Sequence, residues 1–90
     1  MKRIIRSKQF LKHYEKRIRS NKKLIIQVDQ RLVLFLSGER GKPLDDHVLT
    51  HQMVGLRAFS VTGDIRIIYR ETAEAYELLD IGTHNQVYGK

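Results

Sequence analysis

The second half of the chain contains three runs of residues typical of β-strands, and only very short turns separate them. The runs are Leu56–Val61, Ile65–Tyr69 and Ala75–Ile81. A turn at residues 62 and 63 suits a tight hairpin, and residues 72–74 make the second link. Because links this short join only antiparallel neighbours, the segment is predicted to form a β-meander. The rest of the chain must then pack against that sheet.

The first twenty residues predict a strand followed by a helix. Arg3–Arg6 contains two adjacent isoleucines and is interpreted as a short strand. Ser7 can cap a following helix by accepting a hydrogen bond from a free backbone N–H. Within Lys8–Arg19, apolar residues recur at spacings of three and four, which indicates one apolar helix face. These residues are Phe10, Leu11, Tyr14 and Ile18.

A second helix is predicted from Lys22 to Leu36, with Asn21 as its cap and Gly38 as its stop signal. The link between the two helices is very short, so we expect an antiparallel helical hairpin. The apolar face of the second helix consists of Ile25, Val28, Leu32, Phe35 and Leu36.

The predicted order is therefore a strand, two helices and an antiparallel meander. We interpret it as an α+β fold in which the helices pack on one face of a single sheet. Between helices and meander, Glu39–Met53 is predicted to be a long loop, and residues 84–90 a short tail. Residues 1–90 are expected to form one domain, since the length and 41% apolar content suit a small folded unit.

Positive charge is concentrated in the first half of the chain. Residues 1–43 carry 13 Lys and Arg against 3 Asp and Glu, whereas residues 44–90 carry 4 against 7. The whole chain has a net charge of +7 and a pI of about 10.0. A basic half of this strength favours a polyanion or an acidic protein as partner, although a solvated, lysine-rich helix surface has the same composition.

Several classes of protein are disfavoured by the same sequence. The chain has no cysteine, which excludes disulfides and thiolate metal sites and is compatible with a cytoplasmic location. No apolar run approaches the roughly 18 residues of a membrane helix, and the N-terminus lacks the apolar stretch of a signal peptide. A basic amphipathic peptide on a membrane surface is disfavoured too, because both apolar helix faces are needed for the core.

Polar residues that could take part in a chemical reaction cluster near the ends of the last two strands. Successive strand residues alternate between faces, so Asp64 and Arg66 are predicted to share one face of the sheet. His84 follows the next strand and Gly82, and Tyr88 lies four residues further along the predicted tail. We therefore expect an acid–base and phosphate-binding pocket at this strand end.

Cleavage of RNA would use these residue types. The 2′-hydroxyl must lose a proton to attack the adjacent phosphate, and the departing 5′-oxygen must gain one. Histidine suits both steps because its pKa ordinarily lies near neutrality. An arginine can stabilise the negative charge that develops on the phosphoryl oxygens. An aromatic residue such as Tyr88 can stack on a base or help in proton transfer, and this chemistry requires no metal or other cofactor.

Each of these residues also has an ordinary structural interpretation. Asp64 beside Gly63 can be a turn residue, and Arg66 can pair with Asp64 or Asp80 on an exposed sheet face. His84 can be a loop histidine and Tyr88 a core aromatic residue. His13, on the polar side of the first helix, is interpreted as a surface residue.

Two further histidines, His47 and His51, lie four residues apart in the predicted loop. A metal site there is disfavoured, because a site built from nitrogen and oxygen ligands needs three or four that converge.

Several segments together resemble the RelE superfamily of bacterial toxins, and most closely its YafQ branch. The N-terminal strand and helical hairpin fit the family fold. The segments that carry the resemblance are Asp46–Leu49, Gly55–Val61, Gly63–Tyr69 and Asp80–His84, together with Tyr88.

The resemblance implies a toxin of a type II toxin–antitoxin system that cuts mRNA in the ribosomal A site. It also implies a cognate antitoxin protein as partner, with operator DNA bound only through the antitoxin complex. His47, Asp64 and His84 match active-site positions of the YafQ branch, Tyr88 matches an aromatic position, and Arg66 matches a catalytic arginine of RelE itself.

The chain departs from the YafQ pattern at three positions. Ser60 replaces a histidine, Ile65 a tryptophan and Asp80 an arginine. Arg66 is interpreted as compensating for that arginine, with help from Arg57 if its side chain reaches. The departures leave open a second hypothesis, a catalytically weak protein that only binds its antitoxin, RNA or operator DNA. Contacts with ribosomal RNA phosphates are predicted for Arg57, Lys12, Lys16, Arg19, Lys22 and Lys23.

Overall fold

The protein is described by a computed structural model that covers residues 2–89. The predicted α+β fold is confirmed, including the bounds of the second helix. The first helix ends at Arg17 instead of Arg19. The elements are β1 (Arg3–Arg6), α1 (Lys8–Arg17), α2 (Lys22–Leu36), β2 (His47–Val48), β3 (Arg57–Ser60), β4 (Ile65–Glu71), β5 (Ala75–Thr83) and α3 (His84–Tyr88).

The strands form one five-stranded sheet in the order β1-β5-β4-β3-β2. Strand β1 pairs with β5 in parallel, and all other neighbours are antiparallel, so the predicted meander is confirmed. The pairing between β4 and β5 shifts by one residue beside Ile68 and Tyr69. A shift of this kind is a β-bulge, which bends the strand and re-aims the side chains beyond it.

The two long helices pack on one face of the sheet. The predicted caps are confirmed, since the side chains of Ser7 and Asn21 accept hydrogen bonds from the first turns of α1 and α2. Gly38, with a φ of 100°, follows the end of α2 in the left-handed region that favours glycine. The main core between helices and sheet includes Phe10, Ile18, Val28, Phe35, Phe59, Ile67, Tyr69, Leu78 and Ile81.

The opposite face of the sheet carries α3 and a smaller apolar cluster. Its buried members are Ala58, Ile68 and Val87, and Met53 and Tyr88 pack against them while partly exposed. The candidate site lies against this small cluster.

Two sequence predictions need correction at the level of secondary structure. The segment Glu39–Met53 is not all loop, because β2 and a single 3₁₀ turn, His51–Met53, lie within it. Gly82 does not end β5, which continues to Thr83, and the predicted tail begins with α3. Residue 90 of that tail lies outside the described residues. Within residues 2–89, no helix combines the length and the apolar character that crossing a bilayer requires.

Candidate active site

A cavity of about 320 Å³ lies on the sheet face that carries α3. It contains four of the residues singled out in the sequence, which come from β2, β4 and α3. Its remaining walls are mostly apolar. The lining residues are His47, Leu49, Thr50, Met53, Arg66, His84 and Tyr88.

Arg66 is held at the start of β4 by carbonyl groups of the preceding turn. Its Nη1 donates to the carbonyl oxygen of Gly63 at 3.1 Å and lies 3.5 Å from that of Thr62. Among the described residues, no carboxylate pairs with this guanidinium, so the predicted alternative of a pair with Asp64 or Asp80 is wrong. The remaining N–H groups of Arg66 are therefore available to an anion in the cavity.

The short helix α3 places His84 and Tyr88 side by side. Thr83 and Gln86 form a capping box that starts the helix at His84. Residues four apart lie on one face of a helix, and the two rings meet edge to face with centroids 4.6 Å apart. The backbone N–H of His84 also donates to the carbonyl oxygen of Asp64 at 3.1 Å, which ties α3 to the turn before β4.

The hydroxyl of Tyr88 is buried, and no group among residues 2–89 lies within hydrogen-bonding distance of it. Burial raises the pKa of this phenol, and the nearby positive charge of Arg66 opposes the rise. The phenol therefore stays protonated at neutral pH and can donate a hydrogen bond. An unsatisfied buried hydroxyl costs about 1–3 kcal/mol, which a ligand with an acceptor oxygen would recover.

His47 lies in β2 on the other side of the cavity, and its side chain is exposed. Its Nδ1 lies 3.0 Å from the carbonyl oxygen of Asp45. Because a carbonyl oxygen only accepts, Nδ1 must carry the proton, and the Nε2 of the neutral ring is left free to accept one. This tautomer suits a general base.

Asp64, which was predicted to belong to the site, and His51, which was considered only as a metal ligand, lie outside this cavity. Asp64 is exposed in the turn before β4, where the Thr62 hydroxyl accepts from its backbone N–H. Because Asp64 precedes the strand, the alternation of strand side chains does not direct its carboxylate towards Arg66, contrary to the sequence prediction. His51 is exposed at the start of the 3₁₀ turn, with a φ of 59°, and does not line the cavity either.

Arg57, predicted to assist Arg66, is directed to the opposite face of the sheet. Its Nε donates to Asp46 Oδ1 at 2.8 Å and to the Tyr69 hydroxyl at 3.2 Å. The Tyr69 hydroxyl donates in turn to the other oxygen of Asp46. Because Tyr69 belongs to the main core, the three side chains form a closed cluster on the helix side. The condition under which Arg57 was expected to assist Arg66 is therefore not met.

A second polar cluster, which the sequence did not predict, joins α1 to β5. His13 is not a free surface residue as predicted, because its Nδ1 lies 2.5 Å from Asp80 Oδ1. Arg17, one turn further along α1, lies 3.5 Å from the same oxygen and donates to the carbonyl oxygen of Ile81 at 2.8 Å. The spacing of four between His13 and Arg17 placed them on one helix face, but nothing in the sequence indicated Asp80 as their partner.

Gly82 lies close to both this second cluster and α3. A Cβ on Gly82 would come within 2.6 Å of Arg17 Nη1 and 2.7 Å of Gln86 Oε1. Only glycine allows the guanidinium and the capping glutamine to approach the strand this closely. The ends of the Arg17 and Gln86 side chains thus both lie beside Gly82.

The lysines and the remaining arginine predicted to contact RNA are all exposed and belong to the helical hairpin. Lys12 and Lys16 lie on α1, Arg19 follows it and pairs with Glu15, and Lys22 and Lys23 begin α2. Lys16 also lines a cavity with His13 and Arg17. Among residues 2–89, no three His, Asp or Glu side chains converge as a metal site would require.

The cavity thus combines a guanidinium, two imidazoles and a buried phenol. Imidazoles can take up and release protons at neutral pH. A guanidinium held by neutral carbonyls can stabilise developing negative charge. Together they suit a reaction in which a proton moves and an oxyanion forms, as in phosphoryl transfer.

Comparisons with known proteins identify the family of the chain and its fold. The family model described as "Bacterial toxin of type II toxin-antitoxin system, YafQ" matches residues 2–89. No curated protein sequence matches the chain significantly.

Several solved structures share the fold. YafQ from E. coli strain BL21(DE3) has a TM-score of 0.82 at 23% identity, covering 99% of this chain and 100% of that one. YafQ in the E. coli DinJ–YafQ complex has a TM-score of 0.81 at 24% identity, with coverage of 99% and 100%. The YoeB/ParE toxin from Agrobacterium tumefaciens has a TM-score of 0.76 at 14% identity, with coverage of 91% and 98%.

Proposed function

The chain belongs to the YafQ family of bacterial type II toxins, and from that premise we propose that it is an endoribonuclease that cuts mRNA in the ribosomal A site. The observation that carries the proposal is the meeting of Arg66, His84 and Tyr88 with His47 around one cavity. A type II toxin that cleaves RNA needs proton transfer and stabilisation of an oxyanion, and this cavity offers groups for both.

The proposed reaction is an attack by the RNA on its own backbone. A histidine removes the proton of the 2′-hydroxyl, the 2′-oxygen bonds to phosphorus, and the bond to the 5′-oxygen breaks. A second acid donates a proton to that leaving oxygen. The products are a 2′,3′-cyclic phosphate and a 5′-hydroxyl, with all atoms and protons accounted for by the side chains.

The contacts support the following roles. His47, with Nε2 free, and His84 share the proton transfers. Arg66 stabilises the phosphoryl oxygens in the transition state, and Tyr88 donates its hydrogen bond to position the scissile nucleotide. Asp64, whose carboxylate lies outside the cavity, contributes through its backbone carbonyl, which accepts from the N–H of His84.

The decisive test is cleavage of a message by programmed ribosomes. His84→Ala should lower the rate of cleavage about 10²–10⁴-fold, the usual cost of losing one acid–base group. His51→Ala is the matched control, because His51 is an exposed histidine outside the cavity and should retain the wild-type rate. Equal cleavage by wild type and His84→Ala would remove His84 from the active site.

We also propose an acidic antitoxin as the cognate partner. The basic charge of residues 1–43 would attract an acidic segment, and the E. coli YafQ has been solved in complex with DinJ. Operator DNA would be bound only through this complex, and the site of action is the cytoplasm, where ribosomes translate. Native mass spectrometry after co-expression with the neighbouring reading frame should show a small acidic protein bound. A toxin that purifies alone would contradict this.

A weakly catalytic binding protein is the second candidate. It is favoured by Asp80, which occupies a position of a family arginine and is engaged by His13 and Arg17 instead of facing the cavity. The ribosome assay distinguishes the two candidates. A protein that binds its partner but causes neither growth arrest on induction nor cleavage of the message would support the second candidate.

A further inference from the structure

Arg66 lies on the boundary between two cavities. The second, of about 330 Å³, is open to the surface beyond the end of β3 and the turn before β4. Gly63, whose carbonyl oxygen accepts from Arg66, contributes to this second cavity. Arg66 therefore connects the candidate active site with a neighbouring space of the size of a small-molecule site.

We infer that this second cavity is a subsite for the phosphate of a nucleotide next to the scissile bond, on the same RNA strand. The inference rests on the proposed function and deepens it. It assigns Arg31 and Lys42, which are not among the residues predicted to bind RNA, to the recognition of the substrate backbone.

The charges around the second cavity favour an anion. Arg31, Lys42 and Arg66 line it, against one carboxylate, that of Asp45. Within residues 2–89, none of the three cations pairs with a carboxylate. Their positive charge is therefore not neutralised by the protein, and a phosphodiester entering the cavity would meet an excess of positive charge.

Arg31 is also held in place for such a contact. Its Nη1 donates to the carbonyl oxygen of Pro43 at 3.1 Å and lies 3.3 Å from that of Ser60. These acceptors are neutral, so they fix the guanidinium without cancelling its charge. The guanidinium has five N–H donors in all, and those left over can contact a phosphate oxygen.

The remaining polar groups suit an RNA strand better than an isolated ion. Asp45 connects the two cavities, because its carbonyl oxygen accepts from His47 while the residue lines the second cavity. Its carboxylate would repel a small free anion, but it can accept a hydrogen bond from a ribose 2′-hydroxyl or a base amino group. Ser60 and Thr62 add hydroxyl groups at the same wall.

The inference can be tested by combining protein and substrate substitutions. Ribosomes are programmed with messages in which one phosphate beside the cleavage site is replaced by an uncharged methylphosphonate, at one position per message. Wild type, Lys42→Ala and Lys42→Arg are compared in single-turnover cleavage. Lys8→Ala is the matched control, because Lys8 is an exposed lysine at the start of α1 and lines neither cavity.

Lys42→Ala should lower kcat/KM about two- to fivefold, as expected for one exposed charge contact, and leave kcat unchanged. The salt dependence of binding should weaken by about 0.7 in slope, the value for one single-strand phosphate. At one flanking position, the methylphosphonate should slow wild type and Lys42→Arg but cause a smaller further loss in Lys42→Ala, in which only Arg31 and Arg66 remain to contact the phosphate. That position identifies the phosphate in the subsite.

The inference would be overturned if, at every flanking position, Lys42→Ala and the methylphosphonate lowered the cleavage rate independently, so that their effects multiplied. It would also be overturned if Lys8→Ala lowered kcat/KM as much as Lys42→Ala does. In both cases His84→Ala would still be inactive if the proposed function holds. A wild-type protein that leaves the message intact would overturn the proposed function and the subsite together. Thermal unfolding checks that Lys42→Ala is folded, and Lys42→Arg, which keeps the charge, provides the second variant.

Discussion

Two arginines on neighbouring strands have opposite surroundings. Arg57 on β3 faces the helices and forms a closed cluster with Asp46 and Tyr69, in which the carboxylate is completely buried. Arg66 on β4 faces the other side of the sheet and is held only by turn carbonyls at the edge of a cavity. The same residue type thus occurs in a closed ion-pair cluster on one face of the sheet and beside an open cavity on the other.

The difference shows how polar groups that stabilise the fold can be distinguished from polar groups that are available to a ligand. In the closed cluster, every charge has a partner in the chain, so the cluster stabilises the fold and has nothing left for a substrate. In the open cavity, the phenol of Tyr88 has no acceptor among residues 2–89, and the Arg66 guanidinium contacts only carbonyl oxygens. Unpaired groups of this kind cost stability and are retained where they bind or react.

The largest expected effect is the loss of Arg66. Arg66→Ala should lower the rate of mRNA cleavage on ribosomes about 10²–10³-fold, because one donor to the developing oxyanion disappears. The free energy of unfolding should change by less than about 0.5 kcal/mol, since no carboxylate is left unpaired. Denaturant titration alongside the cleavage assay checks both statements. A variant that cuts normally but unfolds easily would show that the open cavity is structural.

The converse experiment removes Asp46 from the closed cluster. Asp46→Ala should lower the free energy of unfolding by about 2–3 kcal/mol, because it leaves the Arg57 guanidinium and the Tyr69 hydroxyl without their shared acceptor. The value is below that of a fully buried pair because Arg57 is partly exposed. Glu74→Ala, at an exposed turn position, is the control and should change little. Equal stability of the two variants would contradict the role given to the cluster.

The sequence predicted most of the fold because its signals were local. Apolar spacing and capping residues located both long helices, and Asn21 and Leu36 bound the second one as expected. The helix α3 was missed because its five residues are too few for a periodic pattern. Its capping box, Thr83 with Gln86, was nevertheless present in the sequence and would have indicated a helix start.

The candidate site was harder to predict, because it depends on contacts between distant segments. Strand alternation correctly placed Arg66 opposite the core, and the spacing of four between His84 and Tyr88 brought their rings together. Alternation failed for Asp64, which belongs to a turn. Arg57 pairs with Asp46, which lies 11 residues away in the chain. Asp80 pairs with His13, which lies 67 residues away. No local sequence pattern connects such positions.

The smallest expected effect is on the free energy of unfolding at alkaline pH. It tests whether the closed cluster keeps the Tyr69 hydroxyl protonated in addition to pairing Arg57 with Asp46. Burial and the carboxylate of Asp46 raise the pKa of Tyr69 above its ordinary value. Above pH 10, the ordinary pKa of tyrosine, the unfolded chain therefore loses this proton while the folded protein keeps it. The folded state then binds more protons, so stability falls as pH rises, by up to about 1.4 kcal/mol per pH unit.

Below pH 10, Tyr69 is protonated in both states, and its hydrogen bond contributes fully. Tyr69→Phe should consequently be about 1 kcal/mol less stable at pH 7, where one hydrogen bond to Asp46 is lost. The fall in its stability between pH 10 and 11 should be shallower than that of wild type. Tyr88, whose pKa is also raised by burial, acts in the same direction in both proteins, so the difference between the two curves isolates Tyr69. Parallel curves would mean that the cluster pairs Arg57 with Asp46 without retaining the phenol's proton, and the contrast with the open cavity would then rest on the ion pair alone.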